Sequence, residues 1–285
     1  MSVYFDRVAI VGVGLLGGSL GIAMKHWGLA GRVAGVGRRA SSLDTACDMR
    51  AIDEAHLELA PAVTDADLVV LCTPAAKVVA FLDEVRDCVR PATIVTDVAS
   101  TKGALCARAR ESWPKPRRFV GSHPMAGSEK FGPQHARADF YKASVCLVEQ
   151  ADDLDAEARE RVVALWEAVG ARVVGVDAAA HDMLLARTSH LPHVVAAAIA
   201  QLAGRQGDVR DVIGNGFRDT TRIASGRPEL WTEICLTNRE AVLAGLDEFS
   251  ASLARFRTAL EKRDATGLAQ FFEDGNSARR RAVGA

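Results

Sequence analysis

The chain has 285 residues, 49% of them hydrophobic and 25% charged, with a formal net charge of −1. That length accommodates two ordinary domains, each able to bury a core, and the near-neutral balance gives no bulk pull toward nucleic acid or anionic membrane. No stretch approaches the ~20 apolar residues of a membrane span and no charged leader precedes an apolar run, so neither partner class is expected and the cytoplasm is the expected compartment. Cys47, Cys72, Cys88, Cys106, Cys146 and Cys235 are scattered with no C-x-x-C pair, mostly in apolar runs. They read as reduced thiols, and no metal site is expected.

In chain order, a β-rich run at 8–11 is followed by a helix over 15–27, a strand at 32–36 and a helix at 43–49. Next come a strand at 67–72, a helix at 78–88, a strand at 93–98, a helix at 102–111 and strands at 118–121 and 143–149. A helix at 154–169 and a strand at 172–176 complete the alternation. Short β-rich runs separated by helices predict a parallel sheet covered on both faces, a doubly wound Rossmann-type α/β domain over 1–176. After Asp177 the strand signal stops. An alanine-rich helix over 180–204 should kink or break at Pro192, where the backbone donor is missing. Val242, Leu246, Phe249, Leu253, Phe256 and Leu260 then recur at alternating spacings of four and three, a seam that needs a partner surface. An all-α domain over 177–285, serving substrate binding and homodimerisation, is the expectation. Arg279-Arg280-Arg281 reads as a solvated tail.

Gly12-Val13-Gly14-Leu15-Leu16-Gly17 matches G-x-G-x-x-G between the first strand and the first helix. Gly12 permits the tight turn, Gly14 lets backbone approach a pyrophosphate, Gly17 lets helix and strand pack closely, and the helix start at Leu15 and Leu16 faces the phosphates. Where an NAD enzyme presents a carboxylate to the ribose, the sequence reads Gly37-Arg38-Arg39-Ala40-Ser41-Ser42. Arg38, Arg39 and Ser41 suit a 2′-phosphate, so NADP is favoured with NAD possible; the competing reading is a solvated basic loop. Thr73, Ser100 and Thr101 end later strands on the same crevice, either as cofactor contacts or as helix caps.

Gly121-Ser122-His123-Pro124-Met125-Ala126-Gly127-Ser128-Glu129-Lys130-Phe131-Gly132 places a histidine between glycine and proline, which reads as a loop. A loop imidazole is either a proton handler near neutral pH or a polar turn residue. This segment, the opening G-V-G-L-L-G-G-S, the run T-S-H-L-P-H at 188–193 and F-R-D-T-T-R-I-A at 217–224 together resemble the prephenate/arogenate dehydrogenase family. The resemblance implies oxidative decarboxylation of prephenate to 4-hydroxyphenylpyruvate or of L-arogenate to tyrosine, with hydride passing to NAD(P). It implies His123 as general base, Ser100 hydrogen-bonded to that histidine and to the substrate hydroxyl, Arg222 as carboxylate anchor, and His193 and Trp231 as substrate contacts. Alternatives stay open: Ser100 as a cap, Trp231 as core, Arg222 as an exposed residue at a helix start, and Arg218 as the anchor instead. His190 reads as structural. A different two-domain dehydrogenase of the β-hydroxyacid or imine-reductase kind, or a module that senses nucleotide without chemistry, would not need His123 and Arg222.

Overall fold

The computed structural model describes residues 4–128 and 130–284; Glu129 of the 121–132 segment lies outside them. Six parallel strands form the main sheet: β1 (Phe5–Val11), β2 (Ala30–Val36), β3 (Glu54–His56), β4 (Leu68–Leu71), β5 (Ile94–Asp97) and β6 (Phe119–Val120), in the order β3-β2-β1-β4-β5-β6. Between them run α1 (Leu15–His26), α2 (Ala40–Asp48), the short α3 (Ala60–Val63), α4 (Ala75–Cys88) and α5 (Gly103–Ser112). The period-two alternation of strand side chains sorts the core into two layers. Val8, Ile10, Leu68 and Val70 pack with Leu20 and Met24 of α1 on one face. Ala9, Val11, Val69 and Leu71 pack with Val78 and Leu82 of α4 and Leu105 of α5 on the other. Each buried aliphatic side chain contributes about 1.5–3 kcal/mol, so the strands that carry the site are the best anchored part of the molecule.

Strand register decides where the site lies. Val11 pairs with Val36 on one side and Leu71 on the other, and Leu71 pairs with Asp97, so four strands end in one row. The turns that follow, at Gly12, Gly37, Cys72-Thr73 and Val98-Ala99-Ser100, therefore open along one carboxyl edge, and the strand order reverses between β1 and β4. That is the topological switch point where open α/β sheets take ligands.

The single parallel sheet expected from the alternation is corrected by the structure. After β6 the chain leaves the main sheet and builds a second one from β7 (Ser122–Pro124), β8 (Val145–Glu149) and β9 (Arg172–Val176), with β7 antiparallel and β9 parallel to β8. Gly121 is the pivot: a Cβ there would stand 2.8 Å from Cys106 Sγ and 3.2 Å from Lys102 Cδ. Pro124, which lacks a donor, is tolerated because β7 lies at the edge of its sheet. His123 is thus the middle residue of a buried strand rather than a loop residue. Helix α6 (Ala156–Ala168) covers β8 and β9, and Asp155 caps it by accepting from the Ala158 amide.

Beyond Asp177 come α7 (Ala178–Leu185), a π-helical turn (Ala186–His190), α8 (Leu191–Gly204), α9 (Asn215–Thr221), a 3₁₀ turn (Arg222–Ser225) and α10 (Pro228–Thr237). The interruption expected at Pro192 falls in the turn just before it. The proline sits in the first turn of α8, where a missing donor costs nothing, and the widened turn absorbs the register change. Helix α7 contacts α5 and α10 contacts α4. The compact unit therefore runs to Asn238, although the composition changes at 177. A second unit, Arg239–Ala285, comprises α11 (Arg239–Glu261) and α12 (Ala265–Val283). Within it Phe256 meets Phe271 and Phe272 at ring distances of 5.1 and 5.9 Å, and Asp264 caps α12. Among the described residues no helix is long and apolar enough to cross a membrane.

Candidate active site

The glycine turn has the geometry the motif requires. Gly12 has φ +99, and a Cβ there would lie 2.6 Å from the Cys72 carbonyl oxygen, so a larger residue would both strain the turn and strike the segment that follows β4. A Cβ on Gly17 would collide with the Gly12 carbonyl, which is the close helix–strand approach expected of it. Gly14 has nothing within 4 Å of its Cβ position and is the N-cap of α1 without a side-chain cap. Open space beside uncapped helix amides, starting at Leu15 and Leu16, fits a pyrophosphate. Tyr141, fully buried, ties this turn down by donating to the Leu16 carbonyl at 2.8 Å.

Thr73 Oγ1 is buried without a hydrogen-bond partner among the described residues. Helix α4 begins after Pro74 with no side-chain cap from its own N-terminus, so Thr73 is not a cap and its hydroxyl is left for a ligand. Ala76 N–H, in the first turn of α4, instead donates to Glu233 of α10 at 2.9 Å. At the end of β2, Arg38, Arg39 and Ser41 are all exposed, and neither arginine makes an ion pair among the described residues. Arg39 is the N-cap of α2, again without a side-chain cap.

At the end of β5 the caps differ from expectation. Ser100 does not cap α5. Lys102 N–H and Gly103 N–H donate at 2.8 Å each to the two carboxylate oxygens of Asp182, carried in on α7. Thr101 Oγ1 donates to Thr237 Oγ1 at 3.1 Å. Lys102 Nζ is buried against Asp97, whose other oxygen accepts from the Ser122 amide at 2.9 Å and so holds β7 to β5.

His123 is 8% exposed, and its Nδ1 lies 2.9 Å from Nε2 of His181. His181 Nδ1 in turn lies 2.8 Å from Asp182 Oδ1. This contact stands where the resemblance implied Ser100; the Ser100 hydroxyl has no hydrogen bond among the described residues, and neither has His123 Nε2. Burial holds the His123 pKa well below the usual imidazole value, reinforced by His181, Lys102 and His190. The ring is neutral at pH 7, the form that accepts a proton.

The side chains expected on the substrate side converge along α8 to α10. His193 stacks on Trp231 with ring centroids 3.4 Å apart, and its Nδ1 donates to the Ser189 carbonyl at 2.9 Å. Burial lowers the His193 pKa; the Ser189 bond opposes this, and the nearby Arg222 guanidinium adds to it. Trp231 is therefore not simply core, since one ring face carries His193 and the edge approaches His190 at 6.4 Å. Gly226 makes room for it, because a Cβ there would overlap the indole nitrogen. His190 Nδ1 meets Asn238 Nδ2 at 3.1 Å, and that amide also donates to the Asp182 carbonyl at 2.8 Å. Arg222 is exposed and stands at the junction of α9 and the 3₁₀ turn, the C-cap of the one and the first residue of the other. Arg218, one turn earlier, is exposed as well. The residues missed from sequence are His181, Asp182, Asn238 and Tyr141. A histidine–aspartate pair inside an otherwise apolar alanine run was the available signal for the first two, since such residues are rarely buried unpaired.

A doubly wound sheet with an uncapped glycine turn at its switch point and a buried neutral histidine beside the neighbouring strand end defines a dinucleotide-dependent dehydrogenase. The prephenate dehydrogenase nucleotide-binding domain family matches residues 20–175, and the prephenate dehydrogenase dimerization domain family matches residues 177–274. The chain belongs to the prephenate dehydrogenase family. It is 31% identical to a cyclohexadienyl dehydrogenase of Zymomonas mobilis over 96% of this chain and 95% of that one. A crystal structure of prephenate dehydrogenase from A. aeolicus, in complex with hydroxyphenyl propionate and NAD+, superposes with a TM-score of 0.88 at 28% identity, covering 99% of this chain and 100% of that one. Synechocystis arogenate dehydrogenase superposes with a TM-score of 0.85 at 28% identity, over 97% and 99% of the two chains. Family membership makes this chain an oxidoreductase of tyrosine biosynthesis that couples oxidative decarboxylation to a pyridine nucleotide.

Proposed function

We propose that the chain oxidises prephenate, L-arogenate or both at the ring carbon bearing the 4-hydroxyl, with His123 as general base. The observation that carries this reading is the buried, neutral His123, whose Nδ1 is engaged while Nε2 has no protein partner. As the substrate's hydroxyl proton passes to Nε2, the ring carbon gives up hydride, carbon dioxide leaves and the ring becomes aromatic. A bound nicotinamide supplies the hydride acceptor.

Charge and shape assign the remaining roles. The substrate carries a carboxylate that survives the reaction, and the Arg222 guanidinium, near the stacked His193 and Trp231, suits it as a bidentate anchor. Gly12, Gly14, Leu15, Leu16 and Gly17 hold the pyrophosphate, and Thr73, Ser100 and Thr101 line the nicotinamide side. The orphaned Thr73 hydroxyl supports this directly. Exposed Arg38 and Arg39, without ion pairs among the described residues, and Ser41 favour NADP over NAD.

The proposed division of labour is 1–176 for the nucleotide and 177–285 for substrate and homodimerisation. Leu253, Leu260 and Phe272 of the second unit stay exposed, as a second copy would require. The cytosol is the proposed compartment, supported by six cysteines without a disulfide. Steady-state kinetics with prephenate and with arogenate, each with NAD and with NADP, test the assignment. Reduction of NADP in preference to NAD with at least one substrate is expected, and no turnover in any of the four combinations would overturn it.

A further inference from the structure

We propose that His181 and Asp182 are positioning residues that fix the tautomer of His123, leaving Nε2 as its proton acceptor. The inference rests on His123 being the base, and it concerns a step behind that residue. Asp182 has two oxygens and three donors: Lys102 N–H and His181 Nδ1 on Oδ1, and Gly103 N–H on Oδ2, all at 2.8 Å. Burial pushes its carboxyl up, but these hydrogen bonds together hold it below the usual carboxylate range, so it is an anion and an acceptor only.

An acceptor opposite His181 Nδ1 requires the proton on that nitrogen. With that one proton on Nδ1, the His181 lone pair lies on Nε2, which faces His123 Nδ1 at 2.9 Å. A lone pair there places the His123 proton on Nδ1 and the His123 lone pair on Nε2. One carboxylate thus sets the protonation pattern of two rings. When Nε2 takes the substrate proton, Nδ1 keeps its own and the positive ring is stabilised through His181 by the Asp182 charge. No second proton needs to move.

The surroundings make this matter. Burial and the charges of His181, Lys102 and His190 all disfavour positive charge on His123, and Asp97 is largely committed to Lys102. Asp182 is the anion connected to the ring by hydrogen bonds. The connection is rigid, because His181 and Asp182 lie on the buried face of α7 with Ala178 and Leu185, and Asn238 holds the Asp182 carbonyl.

Asp182→Asn tests the inference sharply. With its amide N–H₂ in place of Oδ1, the proton is forced to His181 Nε2, His123 is reversed and hydrogen lies where the lone pair should be; the amide oxygen still accepts from Gly103 N–H, while Lys102 N–H loses its acceptor. We expect kcat to fall by roughly 10²-fold or more with cofactor Kd unchanged. His181→Gln leaves the cap untouched and offers an amide oxygen to His123 Nδ1. It should keep the tautomer and lose roughly tenfold in kcat, since the amide no longer connects the ring to the Asp182 carboxylate.

¹⁵N shifts of histidine-labelled protein, with the His123 signal assigned from His123→Asn, read the tautomer without turnover: Nδ1–H in the wild type and Nε2–H in Asp182→Asn. An unchanged tautomer, with kcat within about threefold in a folded Asp182→Asn variant, overturns the proposal. If His123→Asn itself retains turnover, the base assignment fails instead, whatever the tautomer shows.

Discussion

At the crevice between β1 and β4, what faces a ligand is largely main chain: the Gly12 turn, the open side of Gly14 and the first amides of α1. Around His123 it is almost wholly side chain, and the pieces come from strand β7, from α7, from the π-helical turn and from the residue that ends α10, up to 115 residues further along. A backbone site is encoded within six consecutive residues and depends on what is absent, since any Cβ at Gly12 or Gly17 would strike a neighbour. A side-chain site depends on hydrogen bonds between distant segments, so each member must be both present and correctly protonated. Removing a side chain should therefore spare cofactor binding and damage chemistry, whereas the crevice should respond mainly to changes in shape and charge.

The largest effect expected on this contrast is at His123. His123→Asn should lower kcat by roughly 10²–10⁴ while leaving cofactor Kd within twofold or so, measured by steady-state kinetics and fluorescence titration. Loss of cofactor affinity in the folded variant would erase the distinction between the two regions. Next is Arg222→Ala, which should weaken substrate binding by about 1.5–3 kcal/mol, visible as a raised KM at little cost to cofactor affinity. If Arg218→Ala shows that pattern and Arg222→Ala does not, the anchor has been misplaced by one helical turn.

A smaller effect is expected in stability against pH. His190 is held at about 4 by burial, against about 6.5 in an unfolded chain. Between those values the unfolded state binds more protons, so stability is full above pH 6.5 and falls as pH drops toward 4. His123 and His193, also lowered, act in the same direction. About 2 kcal/mol should be lost between pH 7 and pH 5 on account of His190, and His190→Gln should flatten that slope in urea melts at the two pH values. The smallest effect belongs to the crevice. Replacing Arg38 and Arg39 together with serine should reduce the NADP/NAD ratio of kcat/KM by roughly tenfold, about one charge-assisted contact. Serine at 39 would also cap α2, so misfolding is not the expected source of the change. An unaltered ratio would leave those arginines as solvated surface.

The same contrast explains how much could be read in advance. The Gly12 to Gly17 spacing, the long strands and α1 were legible because each is a local pattern with a local cause. Strand β3 and helix α3 are too short to show periodicity. Strand β7 was hidden because Gly121 and Pro124, which bracket His123, signal a turn, while its pairing with Val145–Glu149 is a long-range fact. His181 and Asp182 stood out only as a polar pair in an apolar run, because nothing local indicates that α7 delivers them to the start of α5. Arg222 lies where α9 gives way to a 3₁₀ turn, a boundary that leaves no mark in sequence.

Four helices longer than a single turn, α1, α2, α4 and α5, begin along the carboxyl edge of the sheet, and each exposes the positive end of its dipole there. Glu233 engages the start of α4 and Asp182 the start of α5, both carboxylates carried in from the helical segment after Asp177. Helices α1 and α2 receive no side-chain cap, and the second has an arginine at its N-cap. The molecule has thus quenched two of its four attractive helix ends with its own acids and left the adjoining pair unquenched. A dianionic pyrophosphate with a neighbouring phosphate, arriving anywhere along that edge, meets complementary charge at one place and carboxylates at the other. The helical segment would thereby steer an anionic ligand toward the starts of α1 and α2.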